Sequence, residues 1–281
     1  MDNSRVGFMQ GRLSGISNGK IQEFPWKSWR EEFDIAASLG FELMEWTLDQ
    51  ECLYDNPLMT PKGQLEIRSL SRNYGVAIPS LTGDCFMQAP FWKLSGIQKK
   101  ELQKDFLCIL DGCANIGICQ VIVPLVDNGR IDNDDQLKIL LDFFQKNETN
   151  LSERGIQILF ESDLGPLELD AFISKFHNAA IFGINYDIGN SAALGFDFDE
   201  EFAAYGGRIL NVHVKDRILN GSTVPLGDGN ADFNKVFNKL KLIRYGGNYI
   251  LQTARANDGD HASILRNYKS MTEEWILDNG S

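Results

Sequence analysis

The stretch "SERGIQILFES", residues 152–162, sets the reading of the fold. A polar, helix-like end runs into Gly155, and a short apolar run then closes on the carboxylate Glu161. Glycine suits a left-handed helix cap, after which a strand can begin. The same grammar recurs in "AASLGFELMEW" (36–46), "SRNYGVAIPSL" (71–81), "ANIGICQVIVPL" (114–125), "AAIFGINYDIGN" (179–190), "YGGRILNVHVKD" (205–216) and "RYGGNYILQTA" (244–254). With an opening run, "RVGFMQGRL" (5–13), the pattern predicts eight strands.

Helix spacing fills the intervals. Residues 96–117 put Leu102, Phe106, Leu110 and Cys113 on one face, and 132–150 do the same with Leu137, Leu140, Leu141 and Phe144. A last helix over about 262–277 would close the ring, and segments 48–62 and 216–233 read as long loops. Strands alternating with helices must pair in parallel, because each crossover is long. Eight units in 281 residues predict a single-domain α/β protein, a (β/α)8 TIM barrel over 1–281. No GxGxxG follows the first strand, which argues against an open dinucleotide-binding sheet.

Composition narrows the partners. The chain is 43% hydrophobic and 23% charged, with a formal net charge of −12, and its basic residues read as scattered. Such a surface repels a phosphodiester backbone, so no nucleic acid is expected. No apolar run approaches the ~18 residues of a membrane span, and the start of the sequence shows no secretory h-region. Cys52, Cys85, Cys108, Cys113 and Cys119 are odd in number and lack CxxC spacing, which reads as reduced thiols in a cytoplasmic protein.

Side chains alternate across a strand, so parity sorts those that point into the barrel. The aliphatic residues Leu210, Val212 and Val214 should meet helices, leaving Asn211, His213 and Lys215 inward. The same rule turns Glu161, Asn185, Asp187, Ile250 and Gln252 inward. Glu161, Asp187, His213 and Gln252 thus end four consecutive strands on the inner face, at the rim where barrel enzymes keep their chemistry. Each alone has an ordinary explanation: a salt-bridged Glu, an Asp capping the next helix, a hydrogen-bonded His. Converging together, two carboxylates, an imidazole and a carboxamide need a shared partner, and a divalent cation is the simplest.

These residues resemble the xylose isomerase-like (β/α)8 barrels, especially the sugar phosphate isomerase/epimerase branch. The resemblance rests on "ILFESD", "NYDIGNS", "NVHVKDR", "TVPLGDGNADF" and "NYILQTAR", in that order, with "GFMQGRL" and "GFELMEW" like the first two strands. It implies a divalent metal ion (Mn2+, Mg2+, Zn2+ or Co2+) on Glu161, Asp187 and His213, with Glu161 also the acid or base. It places Asp216 and Arg217 where relatives hold substrate hydroxyls or a neighbouring carboxylate, and is compatible with a homo-oligomer. Its strand-eight glutamate is replaced here by Gln252, which can ligate a metal but cannot shuttle a proton near neutral pH.

The expected reaction is proton transfer on a small carbohydrate, a sugar or sugar phosphate, through an enediolate, by an isomerase or epimerase. A dehydratase of the same barrel, and a catalytically silent metal- or sugar-binding relative, stay open because of Gln252. Lys215 is a candidate for steadying the oxyanion or gripping a phosphate, and equally for a salt bridge to Asp187 or Asp216. Gln10, Arg12 and Arg255 are candidates for the substrate, the two arginines also for structural ion pairs, and Glu45 for substrate hydroxyls or for orienting a metal ligand. Trp26, Trp46, Phe86 and Trp92 read mainly as packing, Asp232 as a helix cap, and His177 and His261 carry no assigned role.

Overall fold

In the computed structural model, residues 5–15 and 22–278 are described. Eight parallel strands among them close into a barrel: β1 (Val6–Met9), β2 (Met44–Thr47), β3 (Ser80–Thr82), β4 (Gln120–Leu125), β5 (Gln157–Ser162), β6 (Phe182–Asp187), β7 (Ile209–Val214) and β8 (Asn248–Leu251). Their order around the ring is β1-β8-β7-β6-β5-β4-β3-β2, so each strand pairs with its sequence neighbours. The larger helices outside are α1 (Glu31–Ser38), α2 (Pro61–Tyr74), α3 (Asp84–Gln88), α4 (Gly96–Ile116), α5 (Asp134–Lys146), α6 (Glu148–Arg154), α7 (Pro166–Ile173), α8 (Ile188–Leu194), α9 (Phe198–Tyr205), α10 (Phe233–Leu242) and α11 (His261–Leu277). None is long and apolar enough to cross a membrane.

The left-handed glycine cap holds before the early strands: φ is +72° at Gly40, +69° at Gly75, +90° at Gly117 and +65° at Gly155. Later units depart from it. Gly183 lies inside β6, and a Cβ there would stand 2.5 Å from Leu210 Cδ1. Leu210 is the extra residue of a register shift between β6 and β7, after which Asp187 pairs with His213. Before β8 the left-handed turn is made by Arg244 rather than a glycine.

The predicted helix over 132–150 is two helices. Asn147 ends the first, its backbone N–H reaching Phe143 O at 3.2 Å and its Nδ2 donating to the same oxygen at 2.7 Å. The long loops carry short elements: 3-10 turns at Leu53–Asp55 and Pro57–Met59, and a small antiparallel pair, Asp216–Arg217 with Thr223–Val224. Asp232 caps α10 by accepting from Lys235 N. The basic residues are less scattered than they read. Lys99, Lys100, Lys104 and Lys146 line one open groove with Asp142.

Strand parity follows the sequence reading. Phe160, outward on β5, packs with Phe144, Phe172 and Phe176, and Phe144 also meets Phe91, Phe106 and Phe182. This aromatic layer fixes β5 and β6 against α4, α5 and α7. Trp46, Phe86 and Trp92 are buried, and Trp92 donates to Gly129 O. The inner face instead holds Glu45, Ser80, Asn185, Asn211 and His213, all buried and polar. A core of that composition is stable only when its groups satisfy one another.

Candidate active site

Glu161, Asp187 and His213 come together at the carboxyl ends of β5, β6 and β7. One ligand atom from each lies within 4.8 Å of the others, and all three residues are buried. His213 Nδ1 stands 3.2 Å from Glu161 Oε2. Asn211 Nδ2 donates to Asn185 Oδ1 at 2.8 Å, which turns the Asn185 amino group to Glu161 Oε2 (2.7 Å) and His213 Nδ1 (3.0 Å). On the other side of the ring, His213 Nε2 meets Glu45 Oε1 at 2.8 Å. A hydrogen on Nε2 serves Glu45; in the neutral imidazole Nδ1 then carries the lone pair, and in the imidazolium it donates toward Glu161.

Electrostatics follows from this enclosure. Burial works against an imidazolium, but Glu45 and Glu161 on either side outweigh it and push His213 up to about 10. Burial also opposes ionisation of Glu161, yet the hydrogen bond and charge of His213, with Lys215 and Asn185, hold it below the usual carboxylate range. Glu45 is lowered in the same way, by His213, Thr82 and Ser80 against its burial. Carboxylates kept ionised suit a base and a cation alike.

Asp187 works twice. Its Oδ1 accepts from Asn190 N at 2.8 Å, capping α8, and its Oδ2 accepts from Lys215 Nζ at 3.0 Å. Lys215 Nζ also donates to Gln252 Oε1 at 3.1 Å. Gln252 Nε2 donates to Gln22 Oε1 at 3.1 Å, and Gln22 Nε2 to Asp84 Oδ2 at 2.6 Å. Asn190 joins the second wall, donating to Glu161 Oε1 at 2.9 Å and accepting from Arg217 at 2.9 Å.

Above this group opens a cavity of about 380 Å3. Of the residues picked out from sequence, Glu161, Lys215, Arg217 and Gln252 line it. Asp187 and His213 lie beneath, at 4% and 0% exposure. The others have different tasks. Glu45 is fully enclosed, holding His213, Ser80 and Thr82 rather than a substrate hydroxyl. Asp216 is fully buried and accepts from the backbone N–H of Arg217, Gly227, Gly229 and Ala231, stapling its own loop. Arg255 donates to Gly11 O and Ser14 O, Gln10 accepts from Thr47 N, and Arg12 donates to Gln22 Oε1.

Sequence reasoning assigned no role to Gln22, Asp84 or Asn190. Asn190 sits three residues after Asp187, and a capping aspartate puts that residue's backbone over itself; this was a usable signal. Gln22 and Asp84 lie outside the strands, where parity says nothing.

Fold and site together define a (β/α)8 barrel with a buried carboxylate–imidazole centre at its catalytic rim. Residues 33–273 match the family model described as the xylose isomerase-like TIM barrel, and the chain belongs to that family. It is 25% identical over 232 residues to the L-ribulose-5-phosphate 3-epimerase UlaE of Salmonella paratyphi A, covering 80% of this chain and 81% of that protein. In structure it resembles D-psicose 3-epimerase of Clostridium cellulolyticum H10, solved with D-tagatose (TM-score 0.74, 11% identity, 96% of this chain and 99% of the other). It also resembles the 3-keto-D-glucoside 4-epimerase YcjR of E. coli (TM-score 0.67, 16% identity, 95% and 99%). Such company makes the chain an enzyme.

Proposed function

We propose that the protein is a metal-dependent isomerase or epimerase of a small sugar or sugar phosphate, moving a proton beside a carbonyl through an enediolate. The observation that carries this reading is the buried convergence of Glu161, Asp187 and His213 under a cavity at the carboxyl rim of the barrel. The donor set fits a divalent cation: two carboxylates, and an imidazole whose Nδ1 faces them. Those three would hold it, with the Gln252 carboxamide oxygen as an uncharged fourth donor. When bound, such an ion supplies Lewis acidity toward a carbonyl oxygen.

The chain's own residues do the rest. Glu161, kept ionised and lining the cavity, takes the proton from the carbon next to the carbonyl. Lys215 steadies the negative oxygen that develops, from its place between Asp187 and Gln252. Arg217 lines the cavity and offers its planar charge to a substrate hydroxyl or phosphate. The names of the relatives, epimerases of L-ribulose 5-phosphate and D-psicose, support this substrate class.

Gln252 favours a second reading. With a carboxamide at the end of β8, Glu161 acting alone suffices for aldose–ketose isomerisation, or for dehydration when a β-hydroxyl leaves. One experiment separates the cases. Purified protein should carry a divalent metal that His213→Ala loses, and should exchange ketose C–H for deuterium in D2O without losing water. Water loss seen by mass spectrometry selects the dehydratase. Absence of both metal and exchange refutes the reading.

A further inference from the structure

Epimerisation needs a proton taken from one face of a carbon and another returned to the opposite face. Gln252 cannot carry a proton, so β8 does not furnish the second group. The lining of the same cavity holds one further buried carboxyl group. Asp84, the first residue of α3 just after β3, lines the cavity with Glu161 and is only 7% exposed. In the ring order β3 stands opposite β7, whose end holds His213, and two strands from β5, whose end holds Glu161. Gln22 bridges it to Gln252, through contacts of 2.6 and 3.1 Å. A carboxyl group thus sits one side chain away from the position where the resemblance expects one.

We propose that Asp84 is the second acid–base of this enzyme, exchanging a proton with the substrate face turned away from Glu161. The assignment rests on the proton-transfer reading of Glu161 given above. Glu161 takes the proton from the carbon beside the carbonyl, and the C–H electron pair passes into the enediolate. The Asp84 carboxylic acid then donates its proton to the same carbon from the other side. The new C–H bond closes the epimer, leaving Glu161 protonated and Asp84 ionised. Water resets the two, and no oxidant or reductant enters.

The groups facing Asp84 suit that task. Burial, then Asp49 and Glu161, push its carboxyl up to about 7 against the pull of Gln22 and Arg12. Both protonation states are then accessible near neutral pH, as a reversible proton carrier requires.

The test uses Mn2+-loaded wild type, Asp84→Asn and Glu161→Gln with L-ribulose 5-phosphate and D-psicose in D2O. Wild type should exchange and invert, and Glu161→Gln should do neither. Asp84→Asn should retain exchange within a few-fold while inversion drops by roughly 100-fold or more, the scale of a lost acid–base group. Inversion at the wild-type rate in Asp84→Asn overturns the assignment, as does an equal fall of exchange and inversion, which would mark a holding role only. Wild type that exchanges nothing overturns the Glu161 reading, and this one with it. Infrared difference spectra of loaded wild type against Asp84→Asn supply a readout free of substrate. The stretch of a protonated carboxylic acid must vanish as pH rises through neutrality. An Asp84 already ionised in mildly acidic solution refutes the proposal.

Discussion

Glu45 Oε1 lies 2.8 Å from His213 Nε2, and neither side chain reaches solvent. The pair sits one layer beneath the cavity, where Glu45 also accepts from Ser80 Oγ at 2.7 Å and from Thr82 Oγ1. A carboxylate behind a histidine fixes both the ring's orientation and its tautomer, here with Nδ1 toward Glu161. Replacing it by a carboxamide removes that control, since an amide can present NH2 to the ring as readily as oxygen. Glu45→Gln should weaken Mn2+ binding about 10- to 100-fold, read by calorimetric titration. Breaking a buried charged pair should also lower unfolding free energy by about 3–5 kcal/mol in urea denaturation. Unchanged affinity would assign Glu45 to packing alone.

Asp216 makes a different kind of claim. Its two oxygens accept four backbone N–H groups, Arg217, Gly227, Gly229 and Ala231, at 2.9 to 3.1 Å. Asp216→Asn turns one acceptor into a donor that faces other donors, so buried N–H groups lose their partner. The expected cost is about 1–3 kcal/mol of stability, measured by chemical denaturation. Metal content should stay at the wild-type level, because Glu161, Asp187 and His213 do not touch this staple. A loss of metal with unchanged stability would return Asp216 to the site.

What could be read from the sequence divides along one physical line. Parity along a strand reports which face a side chain takes, and this put Glu161, Asp187 and His213 on the inner face of their strands. Parity does not report depth, so Gln10 read as a substrate contact, and Glu45 as either a substrate contact or an orienter of a metal ligand, although both are buried. The staple at Asp216 was hidden because three of its four partners lie 11 to 15 residues further on, in a loop without periodicity. Asp84 and Gln22 were hidden for the same reason, since loop geometry joins them only after β1 and β3 have closed the ring. The split at Asn147 is a local departure of its backbone from helical angles, which helix spacing alone does not encode.

Glu32 predicts a pH dependence of stability. It is fully buried and accepts from Gly11 N at 2.9 Å and Ser14 Oγ at 2.9 Å, holding the loop after β1. Burial pushes it from the ordinary 4.5 up to about 7, against the pull of those hydrogen bonds, Leu13 and Arg255. A carboxyl raised in the folded state binds its proton better there than in the unfolded chain. Its contribution is therefore fully present below the ordinary value and lost as pH rises from 4.5 to about 7. The amount is on the order of 3 kcal/mol at most. Urea midpoints of wild type should fall more steeply across this window than those of Glu32→Gln. Parallel profiles would mean that Glu32 is ionised throughout.

Gln252→Glu tests how the rim balances charge. The native side chain accepts from Lys215 and donates to Gln22 Oε1 at 3.1 Å. A glutamate keeps the first contact but sets acceptor against acceptor in the second. Gln22 must then turn its amide toward residue 252, which withdraws its donor from Asp84. One more negative charge also lies beside Asp187, only partly offset by Lys215. A unit charge a few ångström away is worth about 1–4 kcal/mol between aqueous and protein dielectric. Mn2+ affinity should therefore rise by about tenfold or more. Calorimetry on Gln252→Glu and on the double variant Gln252→Glu with Lys215→Met reads this directly, and the gain should be larger once the ammonium no longer screens the new carboxylate. If both variants bind no tighter than wild type, the end of β8 stands too far from Glu161, Asp187 and His213 to share their cation.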